Sequence, residues 1–154
     1  FMQFGLTPDI VSTAKGLAGG LPMGATMFGE RVEDVLPAGT HGSTFGGNPV
    51  CCAAGKAVLE TVLADGFLDD VAKKGEIFRT ELQKMSEIEA VSGLGMMIGC
   101  TLKTKKAADV VKAALDEGLL LLTAKEKMRL LPPLTISTDE IKKGINIIHK
   151  LLEV

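Results

Sequence analysis

The sequence predicts an α/β fold in two unequal regions. Short runs of β-prone residues alternate with longer segments whose apolar residues recur every three or four positions, and glycine clusters separate them. With 154 residues, of which 46% are hydrophobic, the chain is long enough to bury a core. We expect a first region at residues 1–66 and a second at residues 67–154.

The first region is predicted to hold two short strands, a lysine-containing loop and one well-marked helix. The strands are expected at 10–12 and 25–28, followed by a short helix at 31–36. The long helix begins where Asn48 is a good N-cap and Pro49 suits the first turn. Gly66 is expected to end it as a C-terminal cap residue.

The second region is predicted to be a compact unit of three helices and four strands. Its helices are indicated by apolar stripes and its strands by short β-prone runs, and Gly75 is expected to allow a close approach to the first helix. The stripes are Leu68, Val71, Phe78, Leu82 and Met85; Ala107, Val110, Val111, Ala114 and Leu115; and Ile141, Ile145, Ile148 and Leu152. The strands are expected at 88–91, 97–102, 119–122 and 128–131, and Ser137 or Thr138 caps the last helix.

The middle helix of this region carries charges that oppose its dipole. Lys105 and Lys106 lie at its start, and Asp116 and Glu117 lie at its end, where the opposite signs are favourable. We therefore expect packing to stabilise this helix.

The composition argues against several classes of protein. The net charge is −2 and the charges are interspersed, so no basic face for nucleic acid is expected. Apolar runs are too short to cross a bilayer, and the sequence contains no signal-peptide pattern. Cys51, Cys52 and Cys100 lack metal-ligand spacing, which predicts no metal site and buried thiols in a reducing cytoplasm. Because Phe1 is not a natural start residue, we expect a cut or processed end there.

The most informative segment is the loop around Lys15. A single lysine follows a β-prone run and precedes several glycines, an arrangement that projects its amine from a sharp turn. A lysine amine held in this way forms a Schiff base with a carbonyl, above all that of pyridoxal phosphate (PLP). The alternative is a solvated lysine on a glycine-rich turn.

Two further sites are suggested by residue type. Ser43 and Thr44 lie on a glycine-flanked loop before a capped helix, where hydroxyls and exposed backbone N–H groups can bind a phosphate; an ordinary turn is the alternative. Arg129 precedes a Pro132-Pro133 bend, and its guanidinium could bind a carboxylate bidentately; a surface arginine is the alternative.

Three ordered blocks resemble the signatures of the class III PLP-dependent aminotransferases. They are Pro8–Gly16 with Gly19–Ala25, then Gly39–Pro49, then Arg129–Leu134. The last two are similar to the acetylornithine and ornithine branch, and the similarity runs from about residue 5 to the C-terminus. The segment Thr123–Lys127 departs from the Gly-Pro-Asn turn that is usual before this arginine.

This resemblance implies a fold and a set of roles. Residues 1–66 would be the end of the large PLP-transferase domain (aspartate aminotransferase-like, fold type I), and residues 67–154 a small C-terminal α/β domain with a mainly antiparallel sheet. Lys15 would be the Schiff-base lysine and proton shuttle. Ser43 and Thr44 would contact the cofactor phosphate, with Thr44 reaching that of the neighbouring subunit in a homodimer with composite active sites. Arg129 would bind the substrate α-carboxylate. The phosphate cup, the stacking aromatic residue and the pyridinium aspartate of the family lie upstream of the matching segment.

By the same resemblance, the expected reaction transfers the δ-amino group of N-acetylornithine to 2-oxoglutarate, in cytoplasmic arginine biosynthesis. The chain alone is expected to be inactive. The alternatives are an ornithine, succinylornithine or 4-aminobutyrate aminotransferase, or a non-catalytic folding and dimerisation fragment.

Overall fold

A computed structural model describes residues 1–153, which form two compact units, residues 1–65 and 66–153. The first unit contains a two-stranded antiparallel ribbon and one helix, in the order β1 (Ile10–Ala14), β2 (Gly24–Phe28) and α1 (Pro49–Val62). Short 3₁₀ turns occur at Met2–Phe4, Gly16–Ala18 and Glu30–Val32. The helix expected at 31–36 is therefore wrong, because only the last of these turns forms there.

Gly66 was expected to end α1, and this prediction is also wrong. The helix ends at Val62, where the N–H of Leu63 donates to the carbonyl of Leu59 at 2.9 Å. Gly66 has a left-handed φ of 79° and instead precedes the next helix, with its carbonyl accepting from the N–H of Asp70 at 3.0 Å. Glycine is tolerated at both kinds of helix end, so the residue type alone did not distinguish them.

The second unit is a four-stranded antiparallel sheet with three helices. Its elements in chain order are α2 (Phe67–Gln83), β3 (Ile88–Leu94), β4 (Met97–Leu102), α3 (Ala107–Asp116), β5 (Leu122–Ala124), β6 (Lys127–Leu130) and α4 (Thr138–Leu152). The strand order is β3-β4-β6-β5, and every adjacent pair is antiparallel. The prediction of an α/β fold with a mainly antiparallel sheet is confirmed.

The strand expected at 119–122 begins three residues later. Gly118, with a φ of 77°, ends α3 in a Schellman motif: its N–H donates to the carbonyl of Leu115, and the N–H of Leu119 donates to that of Ala114. Leu119 is therefore tied to the helix and is not available to start β5.

The core of this unit lies between one face of the sheet and the three helices. Alternate residues of the central strands, such as Ile98 and Met128, are completely buried, as are Ile141 and Leu82 on the helices. Leu68 belongs to the predicted stripe but is 51% exposed, so Val71 is the first residue of α2 that is buried in the core. Ser92, Gly99 and Arg129 share the opposite face of the sheet.

The unfavourable charges of α3 are used to fix it to α4. The Nζ of Lys105 donates to the carbonyl of Leu151 at 2.8 Å, and Lys150 forms an ion pair with Glu117 at 2.7 Å. Each end of α3 is thereby held by the carboxyl-terminal half of α4, as the expected dependence on packing requires.

No helix among residues 1–153 is both long and apolar enough to cross a membrane.

Candidate active site

Lys15 has a strained backbone conformation directly after β1. Its φ is 67° and its ψ is −87°, values that lie outside the left-handed helical region and close to those of the rare γ-turn with positive φ. A non-glycine residue in such a region costs about 1–3 kcal/mol and persists only where its surroundings enforce it. The side chain is exposed, and its ammonium has no hydrogen-bond or ion-pair partner in the described part of the chain.

The lysine loop is held in place by α1. Gly55 is the buried glycine of this helix, and a Cβ there would lie only 2.8 Å from the Sδ of Met23 and 3.6 Å from the carbonyl oxygen of Leu17. Across the same contact, a Cβ on Gly19 would lie 3.3 Å from Val58. The absence of side chains at both glycines thus lets the helix approach the loop that follows Lys15.

A cleft of about 700 Å³ opens beside the strands of the first unit. Hydroxyl-bearing residues of β1 and β2 line it, and two of them, Ser12 and Thr26, lie within hydrogen-bond distance of one another at 3.3 Å. Ser43 also lines this cleft, but Lys15 and Thr44 do not. Of the predicted cofactor residues, the structure thus brings only Ser43 into this cleft.

The loop from Ser43 to Asn48 leads directly into α1. The N–H of Gly46 donates to the carbonyl of Ser43 at 3.1 Å, and the N–H of Asn48 donates to that of Phe45 at 3.3 Å. The Oδ1 of Asn48 accepts from Val50 and Cys51 at 3.0 and 3.2 Å, which confirms it as the N-cap.

This capping corrects one expectation about phosphate binding. Pro49 has no N–H group, and the remaining amides of the first turn are satisfied by the Asn48 side chain. The helix end therefore offers no exposed N–H groups to an anion. On this loop, the hydroxyls of Ser43 and Thr44 are both exposed and available to a phosphate.

Arg129 lies in the middle of β6 in the second unit. It pairs with Gly99 of β4 on one side and with Leu122 of β5 on the other, on the face of the sheet away from the core. Its side chain is partly exposed, and no hydrogen bond or ion pair to its guanidinium occurs within residues 1–153. The arginine is accordingly available to a carboxylate, as its residue type suggested.

One residue on this face was missed by the sequence analysis. Lys127 precedes Arg129 by two positions on the same strand, so both project from the same face. Its Nζ donates to the Oγ of Ser92 at 3.0 Å. Its spacing of two from Arg129 was the available signal, but the strand predicted at 128–131 begins one residue too late to include Lys127.

The cysteines are less uniformly buried than expected. Cys100 is completely buried, and burial raises the pKa of its thiol to about 11. Cys51 is only partly buried and Cys52 is exposed, and both line the cleft of the first unit. The prediction of buried thiols is therefore wrong for these two, because the first turn of α1 faces the cleft.

Comparison with known proteins gives a consistent result over the whole chain. The family profile described as aminotransferase class-III matches residues 1–152. Acetylornithine aminotransferases from Haemophilus ducreyi and Caldanaerobacter subterraneus are 48% and 40% identical over 99% of this chain, which covers 39% and 40% of their lengths. The chain therefore spans about two fifths of these relatives.

Solved structures of aminotransferases are also similar to this chain. An acetylornithine aminotransferase from Elizabethkingia anophelis has a TM-score of 0.87 at 31% identity, covering 99% of this chain and 42% of its own. An ornithine aminotransferase from Toxoplasma gondii has a TM-score of 0.85 at 32% identity, covering 95% and 37%. Another structure of the Toxoplasma enzyme, at 31% identity and a TM-score of 0.87, covers 96% and 37% and is described as having partial occupancy of PLP at its active site.

Proposed function

Because this chain belongs to the class-III aminotransferases, we propose that it is the carboxyl-terminal part of a PLP-dependent enzyme. The proposed reaction moves the δ-amino group of N-acetylornithine to 2-oxoglutarate, in the cytoplasmic synthesis of arginine. The choice of donor is supported by relatives of 40–48% identity that are named acetylornithine aminotransferases.

The observation that carries the proposal is the conformation of Lys15. Strained backbone at a residue other than glycine is concentrated at functional sites, and here it coincides with an exposed, unpaired amine in the lysine signature of the family. An amine that condenses with an aldehyde and hydroxyls that bind a phosphate are two of the groups that PLP requires. Lys15 supplies the first, and Ser43 and Thr44 supply the second, so the residues of this chain fit that part of the cofactor.

Each residue has a distinct chemical task in this proposal. Bound PLP serves as an electron sink that acidifies the carbon bearing the amino group. The Nζ of Lys15 holds the cofactor covalently and, once released, moves a proton between adjacent carbon atoms, which requires the unprotonated amine. The hydroxyls of Ser43 and Thr44 donate hydrogen bonds to the phosphate. Arg129 binds the α-carboxylate of the substrate through its planar guanidinium, a geometry that a lysine cannot reproduce.

The chain by itself is proposed to be inactive. It spans about two fifths of its relatives, and its first unit leaves apolar residues such as Ile10 and Met27 about half exposed. Such surfaces need a partner, which supports a homodimer with composite active sites in which Thr44 contacts the phosphate bound to the neighbouring subunit. A non-catalytic folding and dimerisation fragment is the second candidate, favoured by the same exposed surface.

An ornithine aminotransferase is a further candidate, favoured by structures such as that from Toxoplasma gondii at 32% identity. Comparing the rates with N-acetylornithine and ornithine as donors distinguishes the two. Faster transfer from free ornithine would reject the proposed donor and leave the class of reaction intact.

The experiment that tests the role of Lys15 is reductive trapping in the full-length protein that contains this chain. Borohydride is added to the protein with PLP, and the digested peptides are mapped by mass spectrometry. We expect the pyridoxyl group on Lys15 and its loss in Lys15→Arg, which keeps the charge but cannot condense. Trapping on Lys56 or Lys125 instead would overturn the assignment.

A further inference from the structure

His41 is the only residue lining the cleft of the first unit that can carry a positive charge near neutral pH. Hydroxyls come from both strands and, through Ser43, from the loop before α1. No aspartate, glutamate, lysine or arginine occurs among the described residues that line the cleft, and the thiols of Cys51 and Cys52 on α1 are its other ionisable groups. The lining is therefore rich in hydrogen-bond donors and contains no carboxylate that would repel an anion.

Two hydrogen-bonded turns flank His41 in the loop that precedes α1. In the first turn, the N–H and the hydroxyl of Thr40 donate to the carbonyl of Pro37 at 3.2 and 2.7 Å. In the second, the N–H of Gly46 donates to the carbonyl of Ser43 at 3.1 Å. His41 itself is exposed, and its ring has no hydrogen-bond or ion-pair partner in the described part of the chain. The backbone is thus fixed on both sides of an imidazole that is available to a ligand.

These features are complementary to an anion with several acceptor oxygens. Hydroxyls donate hydrogen bonds to such an anion but supply no net charge, and the first turn of α1 offers no exposed N–H group because Asn48 caps it. A phosphate monoester carries a charge of about −1.5 to −2 near pH 7 and has three strong acceptor oxygens. Among the described lining residues, only a protonated His41 can balance part of that charge.

We propose that His41 binds the phosphate of PLP together with Ser43 and supplies the positive charge that the hydroxyls lack. This assignment rests on the proposed function, in which the loop before α1 contacts the cofactor phosphate. Because Lys15 does not line the cleft, only the phosphate end of the cofactor is assigned to it.

The test measures the affinity for PLP of the full-length protein after its cofactor has been removed. His41→Asn keeps a hydrogen-bond donor without the charge and should raise the Kd for PLP about five- to tenfold at about pH 6, the range between an exposed ion pair and a charge-assisted hydrogen bond. His41→Lys should restore most of the loss, because it returns a cation. The Kd for pyridoxal, which has the aldehyde but no phosphate, should not change. Equal weakening of PLP and pyridoxal would show that the substitution only disturbs the loop and would overturn the proposal.

A pH series separates the charge of the residue at position 41 from its size. Imidazole ordinarily changes charge between pH 5 and 8, so the ratio of the Kd of His41→Asn to that of the unaltered protein should fall toward one as the pH rises from about 6 to about 8. The ratio cancels the titration of the phosphate, the thiols and the Schiff-base lysine, which both proteins share. His149→Asn removes the other histidine of the chain, on α4, and should leave the Kd unchanged throughout. A ratio that stays constant with pH would reject the role of charge.

Inorganic phosphate distinguishes failure of this proposal from failure of the proposed reaction. The cofactor-free protein and its His41→Asn variant are titrated with phosphate by calorimetry, and weaker binding of both phosphate and PLP by the variant supports the assignment. The same result without trapping on Lys15 and without transamination would support His41 as a phosphate ligand and reject the reaction. Weaker binding of inorganic phosphate alone would show a site for the free ion and reject the cofactor assignment. Normal affinity of His41→Asn for PLP would reject it as well.

Discussion

Replacing Gly75 with alanine should destabilise the second unit, although alanine is the better helix former. In α2, a Cβ at this position would lie 2.4 Å from the carbonyl oxygen of Gly95, whereas real Cβ contacts are essentially never shorter than 3.0 Å. Helix and turn must therefore separate by at least 0.6 Å, the difference between those two distances. The turn resists this movement, because Gly95 has a φ of 54° between the paired residues Leu94 and Met97.

The expected change in the free energy of unfolding combines two opposing effects. Overpacking costs about 1–3 kcal/mol, and the upper end applies where the obstacle is backbone. The gain in helix propensity returns about 1 kcal/mol, which leaves a net loss of about 2 kcal/mol in the free energy of unfolding. For a unit of about 90 residues this lowers Tm by roughly 8–16 °C.

Gly144 in α4 provides a matched control. A Cβ there would lie 3.6 Å from the Cδ1 of Leu119, an ordinary contact, so Gly144→Ala should gain about 0.5–1 kcal/mol from helix propensity alone. Thermal and urea unfolding, followed by circular dichroism at 222 nm, measures the stability of both variants. The signal reports mainly on the second unit, since three of the four α-helices in the described residues belong to it. The close approach of α2 to the hairpin is refuted if both variants shift stability in the same direction.

Two other outcomes are expected. Arg129→Lys in the full-length enzyme should lower kcat/KM almost as much as Arg129→Ala, by an amount corresponding to about 2–4 kcal/mol, because both variants lose the bidentate guanidinium; near-normal kinetics of the lysine variant would exclude the carboxylate role. The stability of the second unit should fall by about 2 kcal/mol as the pH rises from 9 to 11, because the unfolded Cys100 thiol ionises near 9.0 while burial holds its folded pKa at about 11. Urea unfolding at several pH values measures this loss, and a Cys100→Ala variant that keeps the same slope would assign it to other groups.

Local signals predicted the elements whose determinants are close in sequence. Asn48 and Ser137 are the N-caps that their residue types indicate, and the apolar stripe of α4 is buried along its length. Ser137 and Glu140 also complete a capping box, which lowers the pKa of the Glu140 carboxyl through hydrogen bonds from Ser137. The errors arose where one local pattern fits two structures. The leucines at 119–122 are typical of a strand, but Gly118 ends α3 and the N–H of Leu119 donates to a carbonyl of that helix.

In the candidate site, too, only the features defined by neighbouring residues could be predicted from the sequence. Lys15 and Arg129 were recognisable as sequence motifs, because the chemistry of one residue and its immediate neighbours defines each of them. The placement of the Lys127 ammonium against Ser92 was not recognisable, since these residues lie on different strands and are 35 positions apart in the chain. Nothing in the sequence near Lys127 shows that a glycine on one strand and a serine on another determine where its ammonium lies.

Two lysines of this chain have positive φ, and the comparison between them shows why only one indicates chemistry. Lys125, with a φ of 54°, lies in the two-residue turn between β5 and β6, where a tight hairpin itself demands a left-handed residue. Lys15 instead begins the connection of residues 15–23 between β1 and β2, which is too long for a tight hairpin turn, so the demands of such a turn do not account for its φ of 67° and ψ of −87°. Glycine would remove the strain at either position. Both amines are exposed and without a partner among residues 1–153, but only that of Lys15 adjoins a loop against which a helix packs. The persistence of a strained lysine among several glycines is therefore best explained by a requirement for the amine itself.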